Sequence, residues 1–196
     1  MTDSFEPSIH RRYNKKPTEL RSWTAEGGCP YIRICHRLSI AGASLTSSEM
    51  TRRISFTFCT YRGWMLPEHA RSIALESCLH DNGTRFDLRV AVVMPDHVHM
   101  IFTPQIDAQA MEVYSLADIM DAVKGASSHK INKVLGRKGR VWQTESFDHV
   151  LRSSESLDAK VQYLLENPVR QGLVNEWTRY SWLWVKPFVN PFALVR

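Results

Sequence analysis

Hydrophobic residues recur along the chain with two different periods. From Phe86 to Met94 they fall on every second residue (Phe86, Leu88, Val90, Val92, Met94), which predicts a strand. Pro95-Asp96 interrupts the run and His97 to Phe102 resumes it, so the two segments predict a hairpin. Ile54 to Tyr61 (ISFTFCTY) is rich in β-branched and aromatic residues, and Tyr31 to Cys35 alternates as well. Either supplies the first strand of a sheet.

Helical spacing governs three other stretches. Pro67 suits a first turn, Ala70, Ile73, Ala74 and Cys78 then form one apolar stripe, and Asn82-Gly83 ends it. Ser115 is a good N-cap for a second helix carrying Leu116, Ile119, Met120 and Val123, then Ile131, Val134 and Leu135. Gly125 and Ser127 lie between the two sets, where another element can come close, and Gly136 to Gly139 closes this helix. Val141 to Leu151 reads as a further strand. Ser153 or Ser154 caps a last helix, with Glu155 and Asp158 in its first turn. Leu157, Val161, Leu164 and Leu165 form its buried stripe, and Pro168 closes or kinks it. This order of strands and helices predicts an α+β fold, an antiparallel sheet with helices packed on it.

A chain of 196 residues forms a substantial core within one domain. We expect a polar lead-in over 1–28, containing His10-Arg11-Arg12 and Lys15-Lys16, a folded unit over 29–186 and a tail over 187–196. No apolar run approaches the roughly 18 residues of a membrane span, and the N-terminus does not resemble a secretory signal. The four cysteines (Cys29, Cys35, Cys59, Cys78) form no CxxC pair and read as reduced thiols of a cytoplasmic protein. Cys29, Cys35 and His36 lack a fourth zinc ligand at sensible spacing. The net charge of +5 is compatible with nucleic acid, and its distribution is more informative. Lys124, Lys130, Lys133, Arg137, Lys138 and Arg140 crowd one stretch, as on a phosphate-facing surface.

Two pairs of residues carry candidate chemistry. His97 and His99 flank Val98 in a strand, so both imidazoles project from one face and suit a metal ion. Tyr163 and Asn167 are four apart on a helix and share a face away from its apolar stripe.

The stretches VVMPDHVHMIFTP, SLADIMDAVKGASSHKINKVLGRKGRVWQTESFDHVLR and VQYLLENPVRQGLV occur in this order. Together they resemble the REP-associated tyrosine transposases, which belong to the single-tyrosine HUH transposases of insertion sequences. The lead-in, IHRR followed by Trp23, Gly27-Gly28 and Tyr31, is also similar, whereas residues 40–66 depart from the family pattern.

The resemblance implies a ferredoxin-like (RRM-like) HUH endonuclease sandwich that cuts and rejoins single-stranded DNA at hairpin-forming palindromic repeats. It implies that Tyr163 is the nucleophile and forms a 5′-phosphotyrosine link. It implies that His97 and His99, completed by Asn167, bind a divalent metal. Such a mixed nitrogen and oxygen site suits Mn²⁺ better than Mg²⁺, although abundant Mg²⁺ can serve. Lys124, Lys130 and Arg152 are expected to contact phosphates, and Trp142 either to stack on an unpaired base or to be buried in the core. Asp148 and His149 are candidate supports for the metal ligands. The implied partner is hairpin DNA rather than a membrane, with the protein nucleoid-associated when bound and acting as a monomer or dimer. The rival reading is a domesticated repeat-binding protein that no longer cuts.

Overall fold

A computed structural model describes residues 52–151 and 157–187. Its elements run β1 (Arg53–Thr60), α1 (Glu68–His80), β2 (Phe86–Val93), β3 (His97–Pro104), and a two-stranded ribbon of β4 (Ile106–Asp107) and β5 (Glu112–Val113). Then follow α2 (Leu116–Val134), β6 (Trp142–Leu151), α3 (Leu157–Leu165), α4 (Asn167–Arg170) and β7 (Leu183–Val185). The five-stranded sheet has the order β6-β1-β3-β2-β7, and every neighbouring pair is antiparallel. The expected α+β class is therefore present. β1, α1, β2, β3, α2 and β6 form a ferredoxin-like βαββαβ unit, to which β7 adds an edge. The Ile54–Tyr61 candidate supplies β1, an interior strand, while Tyr31–Cys35 lies outside the described residues, as do the 1–28 lead-in and the Cys29, Cys35 and His36 group.

Helices cover both sides of the sheet, which explains why β1 is buried along most of its length instead of alternating with solvent. On one side, Phe56, Phe58, Val98, Met100 and Phe102 pack beneath α1 and α2. On the other, Val90, Val92, Met94 and Ile101 meet Val161, Leu164 and Leu165 of α3. β2 serves both cores. The alternation from Phe86 to Met94 reads as one face, but a bulge between Leu88 and Val90 divides it. Phe86 and Leu88 face α1 and α2, whereas Val90, Val92 and Met94 face the α3 side.

The second helix begins where the sequence places it. Ser115 Oγ accepts from the Asp118 amide at 3.0 Å and its hydroxyl donates to Asp118 Oδ2. Its apolar stripe stops sooner than the spacing predicts. Ile131 is buried, but Val134 and Leu135 are 57% and 37% exposed, because the chain leaves the helix through Gly136 at φ 59°. Of the two small residues, only Ser127 meets a neighbour: its hydroxyl donates to Val123 O at 2.6 Å and accepts from Trp142 Nε1 at 2.8 Å. A Cβ at Gly125 would meet open space, so no close approach occurs there. At the far edge, Tyr180 Oη donates to Val93 O at 2.8 Å and the Val93 amide donates to Trp182 O at 2.9 Å, fastening the chain leading to β7. Among the described residues no helix is long and apolar enough to cross a membrane.

Candidate active site

β3 begins at His97, directly after a tight connection closed by the Met94 amide donating to His97 O at 2.8 Å. Val98 is buried beneath α1 and α2, so His97 and His99 share the opposite face, as the strand period predicts. Their rings meet edge to face, with centroids 4.6 Å apart. The sequence is silent about how each ring is held. His97 Nδ1 lies 2.6 Å from Asp96 Oδ1, and Asp96 is itself fixed by its carbonyl, which accepts from the Thr60 amide and hydroxyl at 2.8 and 3.1 Å. His99 Nδ1 lies 2.7 Å from the hydroxyl of Thr57, its cross-strand partner on β1. With both Nδ1 atoms engaged, Nε2 is the nitrogen by which each ring would ligate, the arrangement common to histidine metal ligands.

Asn167 comes from the far end of the chain. Pro168 cannot continue α3, so the helix breaks at Glu166 and restarts as α4 with Asn167 at its first position. The side chain is buried, with Nδ2 3.5 Å from His97 Nε2. Rotating the amide by half a turn presents Oδ1 at the same place, and an amide oxygen beside two imidazoles is a competent donor set for a divalent ion. Among the described residues no three His, Cys, Asp or Glu side chains that could hold a metal ion converge. Burial, with the charges of His97, Lys160 and Arg170 added, holds the His99 imidazolium pKa well below the usual range. Its ring is therefore neutral, as ligation requires.

Tyr163 sits one helical turn before Asn167 and is 47% exposed, with its ring presented away from the apolar stripe of α3. The Arg170 guanidinium lies 3.9 Å from the ring centroid and donates to Tyr163 O, and Lys160 Nζ lies 5.8 Å from the same ring. The sequence shows Arg170 within the VQYLLENPVRQGLV stretch but suggests no role for it. The signal was its position seven residues after Tyr163, which returns a helical side chain to the same face.

The remaining predicted contacts fare differently. Trp142 is buried, edge-on to Phe58 at 4.9 Å and bonded to Ser127, so its ring is out of reach of a base. Lys124 Nζ donates to Thr144 O and Ser146 Oγ, both at 3.0 Å, and ties α2 to β6 rather than facing a phosphate. Partial burial lowers its ammonium pKa. Lys130 is exposed on α2, and Arg152 lies outside the described residues. Asp148 pairs with Phe56 and His149 with Ser55, so only His149 shares the histidine face. Asp148 stands on the α1 and α2 side, where burial raises its carboxyl pKa.

These features define an α+β protein of ferredoxin-like topology, with a histidine pair on an interior strand and a tyrosine-bearing helix packed over the same face. Residues 52–167, more than half of the chain, match the family of IS200-like transposases, and the chain belongs to that family. Among solved structures, it is similar to a REP-associated tyrosine transposase bound to a REP hairpin (20% identity, TM-score 0.52, covering 75% of this chain and 82% of that one). It is also similar to a candidate transposase from Deinococcus radiodurans R1 (23% identity, TM-score 0.39, covering 65% of this chain and 95% of that one). The sequence matches none of the curated proteins.

Proposed function

We propose that this IS200-like transposase cuts and rejoins single-stranded DNA at hairpin-forming repeats, with Tyr163 as nucleophile. The observation that carries this reading is the meeting of Asn167 with His97, which sets the tyrosine helix over the histidine pair. In the proposed step, Tyr163 Oη attacks the scissile phosphorus and loses its proton. The bond from phosphorus to the 3′ oxygen breaks, and that oxygen leaves as a 3′-hydroxyl. The phosphodiester energy is kept in a 5′-phosphotyrosine, so attack by a 3′-hydroxyl rejoins DNA without ATP. Arg170 and Lys160 give the phenol a positive surround suited to an incoming phosphate.

His97, His99 and Asn167 would hold a divalent metal, Mn²⁺ in preference to Mg²⁺. When bound, the ion would supply Lewis-acid polarisation of a phosphate oxygen. Asp96 and Thr57 orient the two imidazoles, and the depressed pKa of His99 keeps a lone pair available. Hairpin DNA is supported as substrate by the similarly folded transposase that is bound to a REP hairpin.

The test is incubation with a labelled hairpin oligonucleotide carrying unpaired flanks, in Mn²⁺, followed by a denaturing gel. Wild type gives a covalent protein–DNA band. Tyr163→Phe gives none while binding the hairpin as tightly as wild type. A covalent band from the Phe variant would remove Tyr163 as nucleophile. Hairpin binding by wild type with no cleavage would identify a repeat-binding protein instead.

A further inference from the structure

The turn after β1 carries Tyr61-Arg62-Gly63-Trp64-Met65, and the loop between α2 and β6 carries Gly136-Arg137-Lys138-Gly139-Arg140. Backbone bonds join the two and fasten them to the hairpin ahead of His97. The Tyr61 amide donates to Val141 O at 2.7 Å, the Thr60 amide to Asp96 O at 2.8 Å and the Leu66 amide to Pro95 O at 2.6 Å. The paired loops therefore stand at the end of the sheet where the candidate active site begins.

Arginines and aromatic rings interleave on this surface. Arg62 and Arg140 stand 5.2 and 5.8 Å from the Tyr61 ring centroid, and the Arg137 guanidinium stacks 3.6 Å from that of Trp64. Arg62, Lys138 and Arg140 are exposed, and Met65 is 58% exposed. Arg62 takes φ 54°, a left-handed conformation that a non-glycine residue seldom adopts, followed by Gly63 at φ 66°. Arg137 Nη1 is buried without a hydrogen-bond partner among the described residues. Between Asp121 and Glu145 the chain has no acidic residue to oppose these charges.

None of these side chains has a part in the cutting chemistry. We infer that this surface binds the unpaired nucleotides next to the cut phosphate, an inference that rests on the DNA-cutting reading above. Bases stack on aromatic rings and on guanidinium planes whatever their sequence, and the flanking cations neutralise the phosphates between them. A duplex stem keeps its base faces covered, so interleaved rings and guanidinium groups select single strand over stem. Trp64 is covered by Arg137, which leaves the half-buried Tyr61 ring, flanked by the exposed Arg62 and Arg140, as the face for a base.

The experiment compares two hairpins bound to the full-length protein, one blunt and one with a short unpaired extension containing 2-aminopurine. Anisotropy gives affinity and 2-aminopurine quenching reports stacking directly. Wild type binds the extended hairpin more tightly and quenches its fluorescence. Tyr61→Leu, and separately the exposed pair Arg62→Ala with Arg140→Ala, weaken binding of the extended hairpin on the order of tenfold. Both leave blunt-hairpin affinity unchanged, and Tyr61→Leu restores fluorescence. Variants that bind both hairpins like wild type, or that lose affinity for both equally, overturn the inference. Covalent adduct formation by wild type on the same extended hairpin is scored in parallel. An adduct with no effect of the variants sinks this surface alone, whereas dependence on Tyr61 with no adduct sinks the cutting reading alone.

Discussion

Asp96 and Thr57 show how single contacts decide the chemistry of the histidine pair. Each holds one Nδ1 and thereby fixes the orientation of one imidazole. Asp96→Asn or Thr57→Val should lower Mn²⁺ affinity by about 10- to 100-fold, the usual effect of removing a ligand's support. Calorimetric titration checks this, with His97→Ala expected to abolish the binding; Asp96→Asn binding Mn²⁺ like wild type would deny the carboxylate that role. His99 makes a second prediction, about stability. The unfolded chain protonates this residue near its ordinary pKa of 6.5, while the folded protein resists because the ring is buried near His97, Lys160 and Arg170. The unfolded state then binds more protons, so stability falls as pH drops below about 6.5 and levels off once the folded imidazole also titrates. Urea midpoints at about pH 7.5 and about pH 5.5 should differ more for wild type than for His99→Asn. Equal differences would mean that His99 does not carry the effect.

Among the elements, α2 and β6 are joined in the core by the contact of Trp142 Nε1 with Ser127 Oγ, beside the more exposed tie through Lys124. Ser127→Ala leaves the indole donor without its acceptor inside the core, which should cost about 1–3 kcal/mol in chemical denaturation. Lysine at Val134, already exposed, should change stability by no more than about 0.5 kcal/mol. These two residues also mark what the sequence could tell. Periodicity located α2 and its Ser115 cap, because both depend on neighbours along the chain. It overextended the apolar stripe to Val134 and Leu135, because their exposure depends on where the chain turns away at Gly136. The alternation in β2 gave the strand but not the bulge that shares it between two cores. In the site, the His97 and His99 geometry followed from the strand period. Spacing put Tyr163 and Asn167 on one helix face but their roles came only through resemblance, and Thr57 was hidden because cross-strand register leaves no local signal. Trp142 stood open between base and core, because an aromatic residue beside a basic run looks the same whichever it serves.

The whole molecule has two cores of unequal weight, divided by the sheet. Phe56, Phe58, Phe86, Phe102 and Trp142 lie beneath α1 and α2. The α3 side has mostly aliphatic contacts, Val161, Leu164 and Leu165 against Val90, Val92 and Ile101, with Tyr180 as its buried aromatic residue. Less buried apolar area means a lower free energy of local opening, so α3 should detach from the sheet more readily than the sheet comes apart. That helix bears Tyr163 and leads into Asn167, so such opening separates the tyrosine from the histidine pair. Leu164→Ala, at a fully buried position, removes contacts worth about 2–5 kcal/mol. Native-state hydrogen exchange should show the α3 amides exchanging faster in this variant by roughly the factor that energy implies, while amides in β1 and β3 keep their protection. Covalent adduct formation should slow in parallel, and hairpin binding should hold. If β1 and β3 lose protection to the same extent as α3, the two sides of the sheet form one cooperative unit. The tyrosine helix would then be fixed over the histidines by the fold as a whole, not by the smaller core beneath it.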